Sequence, residues 1–310
     1  MSAASSSTPL HPACNPLPTR EELVAFLRHY ALGELRDFQP GRRGRRGRLI
    51  TDAGRFWLVG PGMTDPFLEA LLEHLAGHGL PVPTVVRGHD GRWIRSLGEY
   101  PGALVRWPEG QHPQRLEPDA CARVGDLLGR IHLAGLEFTQ SRPPHRDHRW
   151  RRQSTDALAP DLTPEARTLL HEEIRFQGLY RHTDLPQGTI HGAPNRRRLV
   201  IDETGRVGLT GFGHASRCAL LVDVAVAVND CCIGSDGRLD RTLSAALLNA
   251  YHRLRPLRPI ERGAWPVLLR LAALDGWLET LILGNDGTQA RLQLETRIAE
   301  AAGLPRHWVG

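Results

Sequence analysis

Between His191 and Arg198 the chain collects side chains that handle phosphate. The loop reads His191-Gly192-Ala193-Pro194-Asn195-Arg196-Arg197-Arg198, one imidazole followed by three guanidiniums. A guanidinium fork grips a phosphate bidentately and needs no metal to do so. A second arginine run lies far upstream in GRRGRRGR, Gly41 to Arg48. If the fold brings both runs to one cleft, Arg42, Arg43, Arg45, Arg46, Arg196 and Arg198 form an anion site able to take ATP without magnesium. Carboxyl chemistry has less to work with. Asp223, Asn229 and Asp230 follow the loop on an apolar segment. Asp202 and Glu203 sit in a turn between two short apolar runs, a strand length from the loops at the other end. His191 itself reads as a structural histidine bonded to neighbouring backbone.

Composition narrows the field further. All 39 basic residues are Arg, so no Lys is available to meet a phosphate, and composition bias accounts for that absence. The five Cys (14, 121, 218, 231, 232) are odd in number and lack C-x-x-C spacing. That argues against zinc and disulfides and for a reducing cytoplasm. Cys231-Cys232 reads as a buried helical pair. No apolar run approaches the ~18 residues of a membrane span. Residues 1–18 lack the charged and apolar regions of a secretion signal and read as a disordered tail. A net charge of +5 bears on solubility rather than fold. GRRGRRGR also has the composition of segments that coat nucleic-acid phosphates, but no aromatic platform is interleaved, and a solvated turn is the simpler account.

These residues need elements to position them. Thr19 with Glu22 makes a capping box that opens a helix. Strands are expected around 49–51 and 55–59, joined by Asp52-Ala53-Gly54. A helix starts at Thr64 with Pro66 in its first turn and ends at Gly77 or Gly79. Further strands complete a small antiparallel sheet, and Trp107-Pro108-Glu109-Gly110 reads as a hinge. Residues 119–134 carry a helical apolar stripe with Gly135 as the stop. Ser141–Arg152 has no period and reads as an exposed connection. Helices open at Thr163-Pro164, at Asp240 and at Pro259, the last running through Ile282. The fold class is therefore α+β in two lobes: an N-lobe over 19–106, then a helical C-lobe over 107–310 with the loop at 191–198 and a hairpin at 199–209. No G-x-G-x-x-G follows a strand in a βαβ unit, which argues against a dinucleotide-binding fold.

Loop, hairpin, loop and helix in this order resemble the catalytic core of protein-kinase-like phosphotransferases. More narrowly, the chain is similar to the bacterial homoserine kinases built on the aminoglycoside phosphotransferase and choline kinase fold. The likeness runs from residue 20 to about 285. It is carried by HLAGHGLPVP (74–83), PGALVRWPEG (101–110), VGDLLGRIHLAG (124–135) and LVDVAVAVNDCCIGSDGRLD (221–240), with the helix from Ala245 to Trp277. The resemblance implies ATP- and magnesium-dependent transfer to a small alcohol, in threonine biosynthesis. It also implies that Asp223 is a helix-start carboxylate bracing the histidine loop, and that Asp223, Asn229 and Asp230 line the substrate cleft.

At the chemical positions this sequence departs from that pattern. The resemblance puts the catalytic base at Ala193, a magnesium-holding Asn at Arg198 and a second metal Asp at Gly211. Val59-Gly60-Pro61 stand where phosphate-facing polar residues belong, and Asp275 stands where an Arg precedes a helical Trp. A missing general base typically costs ~10² to 10⁴ in rate, and lost metal ligands add to that. Three readings follow. The chain is a pseudokinase acting by binding or by scaffolding a protein partner. Alternatively it is an active ATP-dependent kinase of L-homoserine or a similar alcohol. The third reading is a nucleic-acid or polyanion binder through 41–48.

Overall fold

The computed structural model describes residues 16–41, 45–234 and 236–303. Most of the expected tail, Arg42, Arg43 and the C-terminal His307-Trp308 lie outside them. The first helix, α1 (Arg20–Leu27), opens on the Thr19/Glu22 capping box and buries Leu23, Phe26 and Leu27. It covers one face of a six-stranded antiparallel sheet built from β1 (Leu35–Pro40), β2 (Gly47–Thr51), β3 (Gly54–Val59), β4 (Thr84–Val86), β5 (Arg95–Leu97) and β6 (Tyr100–Arg106). The order is β1-β2-β3-β6-β4, with β5 paired to the first half of β6. Alternation along the strands sorts the side chains. Phe56, Leu58 and Leu104 join the α1 core, whereas Val59, Ala103 and Val105 face the other way.

That second face packs on α2 (Pro66–Gly77) and merges with the core of the C-lobe. The C-lobe is built on α3 (Pro118–Glu137), α4 (His148–Leu158) and α5 (Pro164–Gln177). Two short ribbons follow. In one, β7 (Gln187–Ile190) pairs with β10 (Ser216–Ala219); in the other, β8 (Leu199–Ile201) pairs with β9 (Val207–Leu209). Then come α6 (Leu221–Cys231), α7 (Arg241–Leu254), α8 (Pro259–Ile282) and α9 (Thr288–Gly303). The first ribbon brings the ends of the 191–198 loop and the 210–215 loop together. Ile190 sits opposite Ser216 across it. The second ribbon stands between the same two loops, with Leu199 opposite Leu209. The connection after β6 is fastened to it, because Gln111 and Ile201 exchange both backbone hydrogen bonds.

Several expectations need correction. Strand β1 was not expected: in LRDFQP only Leu35 is buried, so no apolar alternation marks it. Helix α2 is capped by Asp65, whose Oδ1 accepts from Leu68 N, and not by Thr64. Helix α3 runs past Gly135 to Glu137. The stretch read as an exposed connection holds α4, capped by Asp147. Its buried residues are Arg151, Ser154 and Thr155, so hydrophobic periodicity cannot reveal it. Arg151 makes a two-bond fork to Asp275 of α8, at 2.6 and 2.8 Å, which accounts for the acid at 275. Helix α9 was not expected either, and packs along α8, burying Leu294. Among the described residues no helix is long and apolar enough to cross a membrane.

Candidate functional site

The 191–198 loop leaves β7 held by one carboxylate. Asp223, in the first turn of α6, accepts from His191 N at 2.6 Å and from Gly192 N at 2.8 Å. Its side chain is fully buried, so it braces the loop and does not line a cleft, which corrects its assignment there. His132 of α3 also reaches Asp223, at 3.2 Å, and its other ring nitrogen bonds Tyr251 Oη at 2.8 Å. Arg255 donates to the same hydroxyl and pairs with buried Glu261. A chain of polar groups thus runs through the apolar C-lobe, each member meeting another, as burial requires.

His191 is fully buried in this frame, and its bonds define its tautomer. Nδ1 accepts from Ala193 N at 3.2 Å, which leaves Nε2 to donate to the Thr210 carbonyl at 2.9 Å. Burial first, and the Arg198 charge second, push its pKa down to about 4, so the ring is neutral near pH 7. Gly192 adopts φ +83°, and a Cβ there would lie 2.4 Å from the His214 carbonyl oxygen. The loop therefore requires glycine at 192, because it runs against the segment after β9.

Arg198 and Gly211 fit one another. Arg198 donates from Nη1 to the Gly211 carbonyl at 2.7 Å. A Cβ on Gly211 would lie 3.3 Å from Arg198 Cδ, so the arginine stem lies along the flank that a side chain at 211 would occupy. A cation thus occupies the place between the two loops where the resemblance asked for an amide and a carboxylate. Ala193 is buried and offers no proton acceptor.

Other basic side chains crowd the same side. The 210–215 loop carries His214, whose ring stands 6.3 Å from that of His145. Burial pushes the His214 pKa far down, and Arg146, Arg198, His145 and His191 press it in the same direction. The carboxylates nearby are each engaged. Asp65 pairs with Arg142 at 2.9 Å, Glu279 with Arg146 at 2.9 Å and Asp230 with Arg196 at 3.2 Å. Among the described residues no three His, Cys, Asp or Glu side chains converge as metal ligands would. The residues present between the two loops do not fit a divalent cation. They offer a carbonyl, a methyl group and a guanidinium where oxygen anions are needed.

The expected arginine site divides. Arg45 does not face a cleft: its side chain is 2% exposed, bonded to Glu22 and the Leu97 carbonyl, and stacked on Tyr100. Folding has used it as a core cation beneath α1. Arg46 donates to the Pro61 carbonyl at 2.5 Å, beside the turn after β3. Arg196 is turned towards Asp230 and the Gln114 carbonyl, away from Arg198's partner. Asn229 is buried and donates to the Leu269 carbonyl, so it is a joint between α6 and α8 and no cleft residue. Asp230, with Arg196 and Arg197, lines an open cavity of about 2080 Å³ among α6–α9. Asp202 is a half-buried turn residue that accepts from Thr204 and Arg206, and it does not reach the loops. His145, Arg146 and His214 were not singled out from the sequence. The first two lay in the Arg- and His-rich stretch 141–152, whose helix was hidden, and nothing in the sequence marked His214.

Residues 66–257 match the model of the phosphotransferase enzyme family. The homoserine kinase of Methylobacillus flagellatus is 35% identical over 269 residues, covering 84% of this chain and 84% of that one. The homoserine kinase of Pseudomonas aeruginosa is 36% identical over 273 residues, covering 85% and 86%. Among solved structures, amicoumacin kinase hAmiN in complex with AMP-PNP, Ca2+ and Ami superimposes with a TM-score of 0.68 at 11% identity, covering 93% of this chain and 95% of that one. Choline kinase from Cryptosporidium parvum Iowa II gives 0.65 at 11% identity, covering 92% and 96%. Those two likenesses concern the fold. With its two lobes, its braced histidine loop and these relatives, the chain belongs to the phosphotransferase enzyme family, among the homoserine kinases.

Proposed function

We propose that this protein is a pseudokinase: its cleft holds an anionic ligand without a divalent metal and does not catalyse magnesium-dependent phosphoryl transfer. The observation that carries the reading is the Arg198–Gly211 contact, which sets a guanidinium between the two loops where the resemblance asked for metal-holding oxygens. Phosphoryl transfer in this fold works by positioning and by neutralising charge on the β- and γ-phosphates through bound metal. Here the neutralising charge is arginine, and neither Ala193 nor neutral, fully bonded His191 can take the proton of an attacking hydroxyl. Such a protein acts through what it binds, as ligand sensor or as scaffold for a protein partner. Free Cys121, Cys218, Cys231 and Cys232 are in keeping with a cytoplasmic setting.

The similarity to homoserine kinases favours a second reading, ATP-dependent phosphorylation of L-homoserine in threonine biosynthesis, and one assay separates the two. Purified protein is incubated with ATP and L-homoserine across a magnesium series, and ADP formation is followed. The pseudokinase reading expects no homoserine-dependent ADP at any magnesium concentration. Homoserine-dependent turnover that rises with magnesium refutes it. Through Arg45, the 41–48 segment is partly committed to the core, which leaves the nucleic-acid reading without structural support.

A further inference from the structure

Two tryptophans stack beside the connection between the lobes. Trp57 of β3 is paired with Val105 of β6, so Trp107, two residues on, is its diagonal neighbour. Trp57 shares its strand face with Val59, which looks away from α1 and towards the C-lobe. The two indoles stack with centroids 3.7 Å apart and planes 13° from parallel. Trp107 is held from behind: His112 stands edge-on to it at 6.0 Å and bonds the Leu199 carbonyl, while Gln111 is tied to Ile201.

This geometry bears on which anion the cleft takes, and it rests on the anion-binding reading above. In kinase folds the turn between the first two strands covers the phosphates, and the third strand runs back from them. A nucleotide with its phosphates near Arg198 would therefore lay its base along β3 towards the connection, where the indoles already stack. Admitting a planar base between them requires about twice the observed 3.7 Å and breaks an aromatic stack. We propose that Trp57 and Trp107 set the specificity of the cleft, excluding nucleobases and restricting the ligand to compact phosphoanions without a base.

The test compares inorganic tripolyphosphate with ATP on the full-length protein in metal-free buffer, by calorimetry and by indole fluorescence. Tripolyphosphate is expected to bind at least as tightly as ATP, with indole emission alike for both. The double variant Trp57→Val/Trp107→Leu is expected to gain about tenfold or more in ATP affinity, the scale of one base–aromatic stack, with tripolyphosphate affinity unchanged. Trp57→Phe, which keeps a ring in the stack, is expected to behave as wild type and controls for folding. Wild-type protein that prefers ATP tenfold or more, with quenched indole emission, would overturn the exclusion while leaving anion binding intact. A double variant that folds and gains no ATP affinity also overturns it. If neither anion binds wild-type protein, the anion-binding reading itself fails, and this proposal with it.

Discussion

Asp223 accepts two loop amides and meets His132, all without solvent, and the loop's shape depends on it. Removing the carboxylate leaves those donors buried and unpaired, so Asp223→Ala should cost about 3–5 kcal/mol in urea unfolding. His191 gives a pH signature. Its folded pKa of about 4 lies below its unfolded value of 6.5, so the fold favours the neutral ring. As pH falls from 6.5 towards 4 the unfolded chain takes up the proton first. Stability is then complete above pH 6.5 and declines through that window. His191→Gln, which keeps a donor for Thr210, should give a shallower decline in unfolding free energy between pH 6.5 and 4. Arg198 and Gly211 should act as a pair. Gly211→Asp alone puts a carboxylate against Arg198, in a left-handed backbone that Asp tolerates at modest cost. It should not create magnesium dependence in tripolyphosphate binding by calorimetry, whereas Gly211→Asp with Arg198→Asn should.

At the scale of elements, α3 and α7 meet more closely than ordinary helix pairs. A Cβ on Gly125 would lie 2.1 Å from the Leu247 carbonyl oxygen. Gly125→Ala must push the two helices apart and should cost about 1–3 kcal/mol in chemical denaturation, more if His132 loses Tyr251 across the same interface. Legibility in the sequence followed how each element is held. Helices with an apolar stripe and a cap, such as α1, α5 and α8, could be read because caps and burial coincide in local residues. Helix α4 could not, since its buried face is an arginine, a serine and a threonine, and the arginine's partner, Asp275, lies far along the chain. Strand β1 is held by its ladder to β2 with only Leu35 buried, and a ladder leaves no pattern in one strand.

For the molecule as a whole, one apolar cluster runs from the second face of the N-lobe sheet into the C-lobe and joins the two lobes. The two-lobe order and the 191–198 loop were legible because loop, hairpin and helix follow one another in sequence. The basic side chains around the two loops were legible only in part. Arg198 stood in the loop, but Arg45 turned inward to Glu22, and His145, Arg146 and His214 meet only through folding. The central claim is that arginine has replaced metal between the two loops. Calorimetric titration of tripolyphosphate with and without excess magnesium tests it most directly. The account predicts an affinity that magnesium leaves unchanged or weakens, since a cation-lined site competes with the metal for the anion. Affinity that magnesium raises about tenfold or more would contradict it.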